Sequence, residues 1–339
     1  MKADLRENII SHSKSNLPRS SCLSRARAFG KSDSQVAKCT AALQQFVSGA
    51  LFDESIIRAN DSRYTRISIV MPSYNQAHFI ERSILSVLNQ DYPNLQFIIM
   101  DGGSTDGTLD VIRKYESYLL WQSERDRGQS DAINKALLLA DGELIGWQNS
   151  DDVYFPGALH RVHQAAQIMP RAVLYSGTVA SIDLDDRLTS IFKFTRPSAR
   201  RLLYEGFVMS SQGVFWRKEV QSHVGQYDID LHIAMDVDFW LRMLAQGRAE
   251  FLPEIVGGFR QHEGTKTSIA DGRGIEEMSR IRRKFGVNDQ TFRWKLARAG
   301  LRFSRLLKWT LLTRPRCTMI TGEGRLAKAS MTQTGLDYY

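Results

Sequence analysis

Three apolar runs in the first half of the chain each end abruptly at a cluster of polar residues. The polar clusters span 72–75, 101–104 and 148–152. Strands of an open parallel sheet put their carboxyl ends on one edge, and ligands bind at that edge. The three clusters therefore predict a single site, although they lie far apart in the sequence. Carboxylates in two of the clusters make that site acidic, which is typical of a site for a divalent cation.

Helical and strand patterns alternate through the same region and define the fold class. Strands are predicted at 66–72, 95–100, 119–122 and 143–147, with helices at 79–88, 107–117 and 130–139 between them. Further helices are predicted from 156 to 168 and over 235–246. The alternation predicts an α/β fold, with a Rossmann-like, doubly wound and mostly parallel sheet that carries helices on both faces.

Net charge limits the class of partner. The chain has 339 residues and a formal net charge of +8, which favours an anionic partner. A nucleic-acid-binding protein would cluster its basic residues with base-stacking aromatics. Here the basic residues concentrate in a tail with aliphatic spacing, so we do not expect nucleic acid as a partner.

The sequence also predicts a cellular location. No apolar stretch reaches the roughly 20 residues that span a bilayer, and residues 1–25 lack the apolar core of a secretory signal. Three scattered cysteines (Cys22, Cys39 and Cys317) predict neither a disulfide framework nor a zinc site. We therefore expect the protein in the cytoplasm.

The polar clusters contain the first candidates for chemistry. Asp151 and Asp152 follow a predicted buried strand, where Mg²⁺ or Mn²⁺ would offset two adjacent carboxylates. Asp101 could accept hydrogen bonds from a base or a ribose, and the Tyr74 ring could stack on a base. The alternatives are a solvated acidic turn and a half-buried core tyrosine.

Candidates outside those clusters are less specific. Asp236 falls at the start of a predicted helix, where it is either the N-cap or a general base. His262 lies in a polar loop, where it is either inert or a further metal or phosphate contact. Asp131 and Asn134 lie near the same edge of the sheet and could line the pocket.

Four motifs in one order carry a resemblance to a known family. They are VMPSYN at 70–75, MDGGSTDGT at 100–108, D-x-G-x-x-D-A-x-N-K at 126–135 and NSDD at 149–152. This arrangement resembles glycosyltransferase family 2, whose fold is called GT-A, over about 66–267. Four linked motifs are far more specific than any one of them.

The resemblance implies a nucleotide-sugar donor such as a UDP-sugar, a divalent cation (Mg²⁺ or Mn²⁺) and inversion at the anomeric carbon. Asp236 would be the catalytic base, and we predict Asp151 and His262 as metal contacts. The predicted nucleotide and donor contacts are Pro72, Ser73, Tyr74, Asn75, Asp101, Gly103, Ser104, Asp131, Asn134, Asn149, Ser150 and Asp152.

Two positions depart from the family pattern. The family's Asp-x-Asp motif falls on 149–151, where the first acid is Asn149. The acid that often precedes the family's base is replaced by Met235. These departures leave open a catalytically impaired member that acts as a binding partner. A nucleotidyltransferase is disfavoured, because 74–77 lack a glycine-rich basic phosphate loop.

A basic amphipathic tail at 293–316 suggests a membrane surface as partner, with the protein peripheral on the inner face of the cytoplasmic membrane. The acceptor would then be a saccharide, typically lipid-linked, in cell-surface polysaccharide synthesis. The alternative is a tail helix that packs on the catalytic domain.

The sequence also predicts how the chain divides into domains. The predicted divisions are a loose extension at 1–62 with a weakly helical patch, a catalytic domain at 63–285 (nucleotide half 63–155, acceptor half 156–285), the tail at 286–317 and a disordered end at 318–339.

Overall fold

One nine-stranded sheet organises the chain in the computed structural model, which describes residues 33–192, 194–266 and 272–312. Two helices precede the sheet, α1 (Asp33–Ser48) and α2 (Glu54–Ile57). The first half then alternates strand and helix as β1 (Ile67–Ser73), α3 (Ile80–Leu88), β2 (Leu95–Asp101), α4 (Thr108–Arg113), β3 (Leu120–Ser123), α5 (Gln129–Leu139) and β4 (Leu144–Trp147). These four strands pair in parallel in the order β3-β2-β1-β4. The predicted doubly wound half is confirmed.

The second half extends the sheet with mixed strand directions. Its elements are β5 (Val153–Tyr154), α6 (Ala158–Ile168), β6 (Leu174–Ile182), β7 (Leu188–Ile191), α7 (Ala199–Glu205), a 3₁₀ turn (Ser211–Gly213), β8 (Val214–Arg217), α8 (Lys218–Val224), α9 (Met235–Gln246), β9 (Ala249–Arg260), α10 (Arg273–Lys284) and α11 (Phe292–Leu312). Strand β8 joins β4 antiparallel, β6 follows antiparallel, and β6 and β9 pair in parallel.

Strands that are buried on both faces separate two hydrophobic cores. Every residue of β1 is buried, as expected for a central strand covered by helices on both sides. Val70 faces a core that includes residues of α5 and α9. Ile69 and Met71 face the opposite core, which includes residues of α3 and α6. Helices therefore cover both faces, as predicted.

The segment before the sheet is more ordered than its composition suggested. Within the described residues 33–62, α1 packs its apolar face on the sheet: Leu43 and Val47 are buried in a third core with Ile182 and Ile255. The weakly helical patch therefore forms part of α1. The Ser-rich and Lys-rich composition of the extension gave no indication that this helix packs on the sheet. Cys39 on this helix is disulfide-bonded, and a single bridge differs from the disulfide framework that the sequence argued against.

The tail helix α11 contacts α7 of the main fold at Trp294 and at Ser304. Trp294 is buried and stacks on Tyr204 of α7, with ring centroids 6.4 Å apart. The Arg201 guanidinium donates to Ser304 Oγ at 3.1 Å. This contact matches the packing alternative for the helix. In the described part of the chain no helix combines the length and apolarity needed to cross a bilayer.

Three predictions concern residues that are not described. The early part of the extension (1–32), the end of the basic tail (313–316) and the predicted disordered end (318–339) lie outside the described residues. The division into domains stays a prediction.

Candidate active site at the strand ends

The ends of β1 and β2 join into one surface. The amide of Gly102 donates to the Ser73 carbonyl at 2.8 Å. Beyond the strand, the Asn75 amide donates to Ser104 Oγ at 2.7 Å, and Asn75 Oδ1 accepts from the Thr105 amide at 2.9 Å. Asn75 reaches these contacts with a φ of 51°, a left-handed conformation that asparagine tolerates better than most residues. The first two polar clusters therefore meet as predicted.

Asp101 holds the glycine-rich turn after β2. Its Oδ2 accepts from the amides of Gly103 and Ser104 at 3.0 and 2.8 Å and from Ser123 Oγ at 2.7 Å, while Oδ1 accepts from Ser104 Oγ. Gly103 has a φ of +86°, which favours glycine. Since Oδ2 is fully used, a nucleotide N–H or O–H has room only at Oδ1.

Tyr74 offers an exposed ring beside this turn. Pro72 and Ser73 are buried within β1, whereas the Tyr74 side chain is 61% exposed. The alternative of a half-buried core tyrosine is therefore wrong. An exposed ring at a strand end is free to stack on a planar ligand.

The next motif enters the site only in part. Asp131 is buried and accepts from the Arg127 amide and guanidinium, each at 3.1 Å. Burial alone would raise the pKa of Asp131, but these bonds and the nearby Lys135 hold it below its usual range. Asn134 uses both ends of its amide on the Tyr227 backbone, at 2.9 and 2.8 Å. Asn134 thus joins α5 to the loop that contains Tyr227.

Asp152 lies at the centre of a buried hydrogen-bond network after β4. Its Oδ2 accepts from Asn149 Nδ2 at 2.9 Å and from Gln212 Nε2, and its Oδ1 accepts from the Arg260 amide at 2.8 Å. Burial, with a contribution from the Asp151 charge, raises the pKa of Asp152 to about 7. Ser150, between them in sequence, is buried. Donors on three sides make Asp152 an internal residue.

Asn149 connects this network to the start of α5. Its Oδ1 accepts from Gln129 Nε2 at 2.8 Å, while its Nδ2 donates to Asp152. Gln129 Oε1 in turn accepts from the Lys266 ammonium at 2.9 Å. An amide can donate and accept at once, which a carboxylate at this position could not do. The neighbours of Asn149 are therefore suited to an amide at the position where the family has its first acid.

Asp151 and His262 are the pair that could hold a metal. Asp151 Oδ2 lies 3.1 Å from His262 Nε2, and the side chains are 20% and 11% exposed. The His262 ring also packs against Phe79, with centroids 4.7 Å apart. Among the described residues, no group of three or more acidic, histidine or cysteine side chains has metal-binding geometry. One carboxylate with an imidazole still fits Mg²⁺ or Mn²⁺ if phosphate oxygens and water complete the octahedron.

A fully buried arginine holds this pair in place. Arg260 donates from Nε to the Asp151 carbonyl at 2.7 Å and from Nη1 to the Asp183 carbonyl at 3.0 Å. Its Nη2 pairs with Asp186 Oδ1 at 2.5 Å, and Arg82 pairs with the other oxygen at 2.9 Å. Sequence reasoning missed Arg260 and Gln212. An arginine two residues before His262, at the end of an apolar strand, was the one available signal.

Asp236 lies in the first turn of α9 rather than at its N-cap. The N-cap is Ala234, which has no side-chain cap, so the N-cap alternative is wrong. Asp236 Oδ1 accepts from the Val237 amide at 2.7 Å. Burial raises the pKa of Asp236 to about 6, with a smaller opposing effect from Lys266. Lys266, whose charge acts on Asp236, also donates to Gln129, and Gln129 donates to Asn149.

Comparison with known proteins gives a consistent family. The model of glycosyl transferase family 2 matches residues 68–221. The putative teichuronic acid biosynthesis glycosyltransferase TuaG of Bacillus subtilis is 30% identical over 191 residues, which cover 53% of this chain and 73% of TuaG. The putative colanic acid biosynthesis glycosyl transferase WcaA of Escherichia coli is 29% identical over 189 residues, covering 53% of this chain and 66% of WcaA.

Solved structures give the same fold. A crystal structure of residues 1–349 of Staphylococcus aureus TarS, in complex with UDP-GlcNAc, matches with a TM-score of 0.54 at 20% identity. The match covers 64% of this chain and 65% of that one. The chain spans about two thirds of the length of the curated relatives that it matches, between 66 and 73% for TuaG and two rickettsial proteins. The motifs, the GT-A fold and these relatives together establish that the chain belongs to glycosyltransferase family 2.

Proposed function

We propose that this chain is a metal-dependent, inverting glycosyltransferase that moves a sugar from a nucleoside diphosphate sugar to a hydroxyl acceptor. One observation carries the proposal: hydrogen bonds run from Asn149, two residues before Asp151, through Gln129 to Lys266, whose charge also acts on Asp236. Asp151 lies beside His262, whereas partial burial raises the pKa of Asp236 to about 6. A metal contact needs an ionised carboxylate, and a general base works best with a pKa near the working pH.

The proposed roles divide the cleft between donor and acceptor. Tyr74 would stack on the nucleobase, and the turn held by Asp101 would line the nucleotide. Asp151 and His262 would hold the cation, which neutralises charge that develops on the departing diphosphate. Asp236 would take the proton of the incoming hydroxyl on the face of the sugar opposite the diphosphate. One base is sufficient when no acid is needed for the leaving group.

Donor and acceptor classes follow from the relatives. TarS was crystallised with UDP-GlcNAc, which makes UDP-sugars the first donors to test. TuaG and WcaA carry names from the synthesis of cell-surface polysaccharides, which suggests a saccharide acceptor, and a lipid-linked one for a protein that visits the membrane. A screen of nucleotide sugars for metal-dependent hydrolysis tests the donor class directly.

A membrane surface fits one face of α11. Phe292, Leu296 and Phe303 are 78, 64 and 70% exposed, and their spacing puts them on the face opposite the buried Trp294. Exposed Arg293 and Lys295 lie alongside. An apolar stripe with flanking cations suits the boundary of an anionic bilayer. We therefore propose a cytoplasmic protein that is peripheral on the inner face of the cytoplasmic membrane.

An impaired family member is the second candidate, because the first acid of the Asp-x-Asp motif is missing. Asn149 weakens this candidate, since its amide donates to Asp152 and accepts from Gln129. Because both ends of the Asn149 amide are bonded, the surrounding residues favour an amide here rather than a lost carboxylate.

Asp151→Ala should remove metal-dependent turnover of a UDP-sugar, because it deletes the carboxylate of the proposed metal pair. We expect a loss of at least about a hundredfold in rate, measured as UDP release with Mn²⁺. Asp185→Ala, an exposed acid in the turn before β7, is the matched control and should be unaffected. Full activity in Asp151→Ala would remove the metal assignment.

Asp236→Asn should keep donor binding and lose transfer, because the amide cannot accept the hydroxyl proton. In the unsubstituted protein, turnover should fall as the pH drops below about 6, where Asp236 becomes protonated.

The melting temperature gives an independent check on the raised pKa of Asp236. The folded protein binds the Asp236 proton more tightly than the unfolded chain, whose pKa is near 3.8. At a pH above both pKa values the charged Asp236 therefore destabilises the folded protein. Asp236→Asn removes that charge, so it should raise the melting temperature at pH 7 more than at pH 4. Unchanged turnover in Asp236→Asn, with exposed Asp230→Asn as control, would exclude Asp236 as the base.

Asn149→Asp should destabilise the metal-free protein above about pH 7, where Asp152 loses its proton. The new carboxylate oxygen would replace a donor 2.9 Å from Asp152 Oδ2, at a cost of about 1–3 kcal/mol when both acids are ionised. The deficit should shrink as the pH falls below about 7, because a protonated Asp152 can donate to the new carboxylate. Thermal melts above and below that pH, beside exposed Asn288→Asp as control, measure this effect. A loss of stability that does not depend on pH would contradict the role given to Asn149.

Replacing Phe292, Leu296 and Phe303 together by Ser should weaken binding to vesicles that contain phosphatidylglycerol by at least about tenfold. Binding of the unsubstituted protein should require the anionic lipid and should decrease with salt. Sedimentation with vesicles measures both effects, and Leu138→Ser, at an exposed leucine of α5, is the control. If the triple variant binds as well as the control, α11 is not the membrane contact.

A further inference from the structure

A glutamate from α10 occupies the turn that leads into α9. Glu277 is buried, and its carboxylate accepts from three consecutive backbone amides. The Oε1 atom accepts from His232 at 2.9 Å, and Oε2 accepts from Ile233 and Ala234, each at 2.8 Å. Ala234 is the N-cap of α9, so the carboxylate lies against the positive end of the helix.

Three bonds of this kind fix the backbone that carries Asp236. The amides before a helix have no intrahelical partner, and a buried amide without a partner is destabilising. Burial alone would raise the pKa of Glu277, but the three amides hold it below its usual range, so the group stays ionised. Asp236 follows the N-cap by two residues, and its direction is therefore set by Glu277.

Charged and titratable groups face Asp236 from three segments. Glu277 approaches from α10, Lys266 from the loop after β9, and the Tyr227 hydroxyl from the loop before α9. The Tyr227 side chain is buried, and its hydroxyl makes no hydrogen bond with the residues that the structure describes. Burial has the largest effect on Asp236, the carboxylate of Glu277 adds to it, and Lys266 opposes it.

We infer that Glu277 is a positioning residue for the proposed base. It fixes the first turn of α9 so that Asp236 faces the strand ends, and its charge, opposed by that of Lys266, sets how readily Asp236 accepts a proton. The inference rests on the proposed function of Asp236. It also accounts for Met235, since the acid beside Asp236 comes from another helix rather than from the preceding residue.

Opposite shifts in two variants test the inference without knowledge of the substrate. The full chain is labelled with ¹³C at its aspartate carboxyl carbons, and the Asp236 resonance is assigned by its loss in Asp236→Asn. Titration of that resonance reports the Asp236 proton directly. Glu277→Gln should move the midpoint to lower pH, because a negative charge is lost while one oxygen acceptor remains. Lys266→Met should move it to higher pH.

Controls separate positioning from general destabilisation. Glu276→Gln makes the same charge change at an exposed position of the same helix and should leave the midpoint unmoved. If Glu277→Gln lowers the melting temperature without moving the midpoint, Glu277 is merely structural and the inference is overturned. If Glu277→Gln does not fold, Glu277→Asp keeps the charge but shortens its reach to the three amides, and an unmoved Asp236 midpoint in that variant overturns the inference.

Turnover then distinguishes this inference from the proposed function. In Glu277→Gln the acidic limb of UDP-sugar turnover should move to lower pH together with the ¹³C midpoint. If the midpoint moves while Asp236→Asn keeps full turnover, the electrostatic contact is real but Asp236 is not the base. If the midpoint stays fixed and Asp236→Asn is inactive, the base holds and Glu277 does not position it.

Discussion

The buried guanidinium of Arg260 is the interaction on which the rest of the cleft depends. A fully buried charge is costly, and breaking such a pair by removing one partner costs about 3–5 kcal/mol. Here Asp186 supplies the counter-charge, and two backbone carbonyls accept from Nε and Nη1. The Arg260 amide meanwhile binds Asp152. One residue at the end of β9 therefore fixes the loop after β4, which ties the two halves of the sheet together where their strands end.

Environment gives the three carboxyl groups of the cleft different properties. Asp152 is surrounded by donors and cannot reach a ligand without losing one of them. Asp151 keeps a partly exposed side chain whose partner is an imidazole. Asp236 is partly buried and accepts from the Val237 amide, and burial raises its pKa. Carboxyl groups in such different surroundings are suited to separate roles. The sequence shows three equivalent aspartates, and only their contacts distinguish them.

Local patterns made the donor half predictable. Apolar runs that end in polar clusters predicted β1, β2 and β4, and the exposed Tyr74 lies at one of these ends as expected. The residues that were missed act across long sequence separations. Glu277 binds backbone amides of another helix, and Gln212 reaches Asp152 from the second half. Such contacts have no local signature, because any surface glutamine or glutamate looks the same in sequence. For the same reason the sequence could not show that Asn134 bonds the Tyr227 backbone.

The two halves of the chain differ in how far relatives are expected to share their substrates. The family model matches 68–221, which contains the predicted donor motifs but neither Asp236 nor His262. The strands of the proposed donor side are parallel and use short turns, so their residues recur as compact motifs. The proposed acceptor side takes residues from α9, α10 and 261–266 after β9, which lie far apart in the sequence. Relatives with similar donor motifs are therefore free to differ in acceptor. The residues that select the acceptor of this protein should be sought after residue 221, around Asp236 and Lys266.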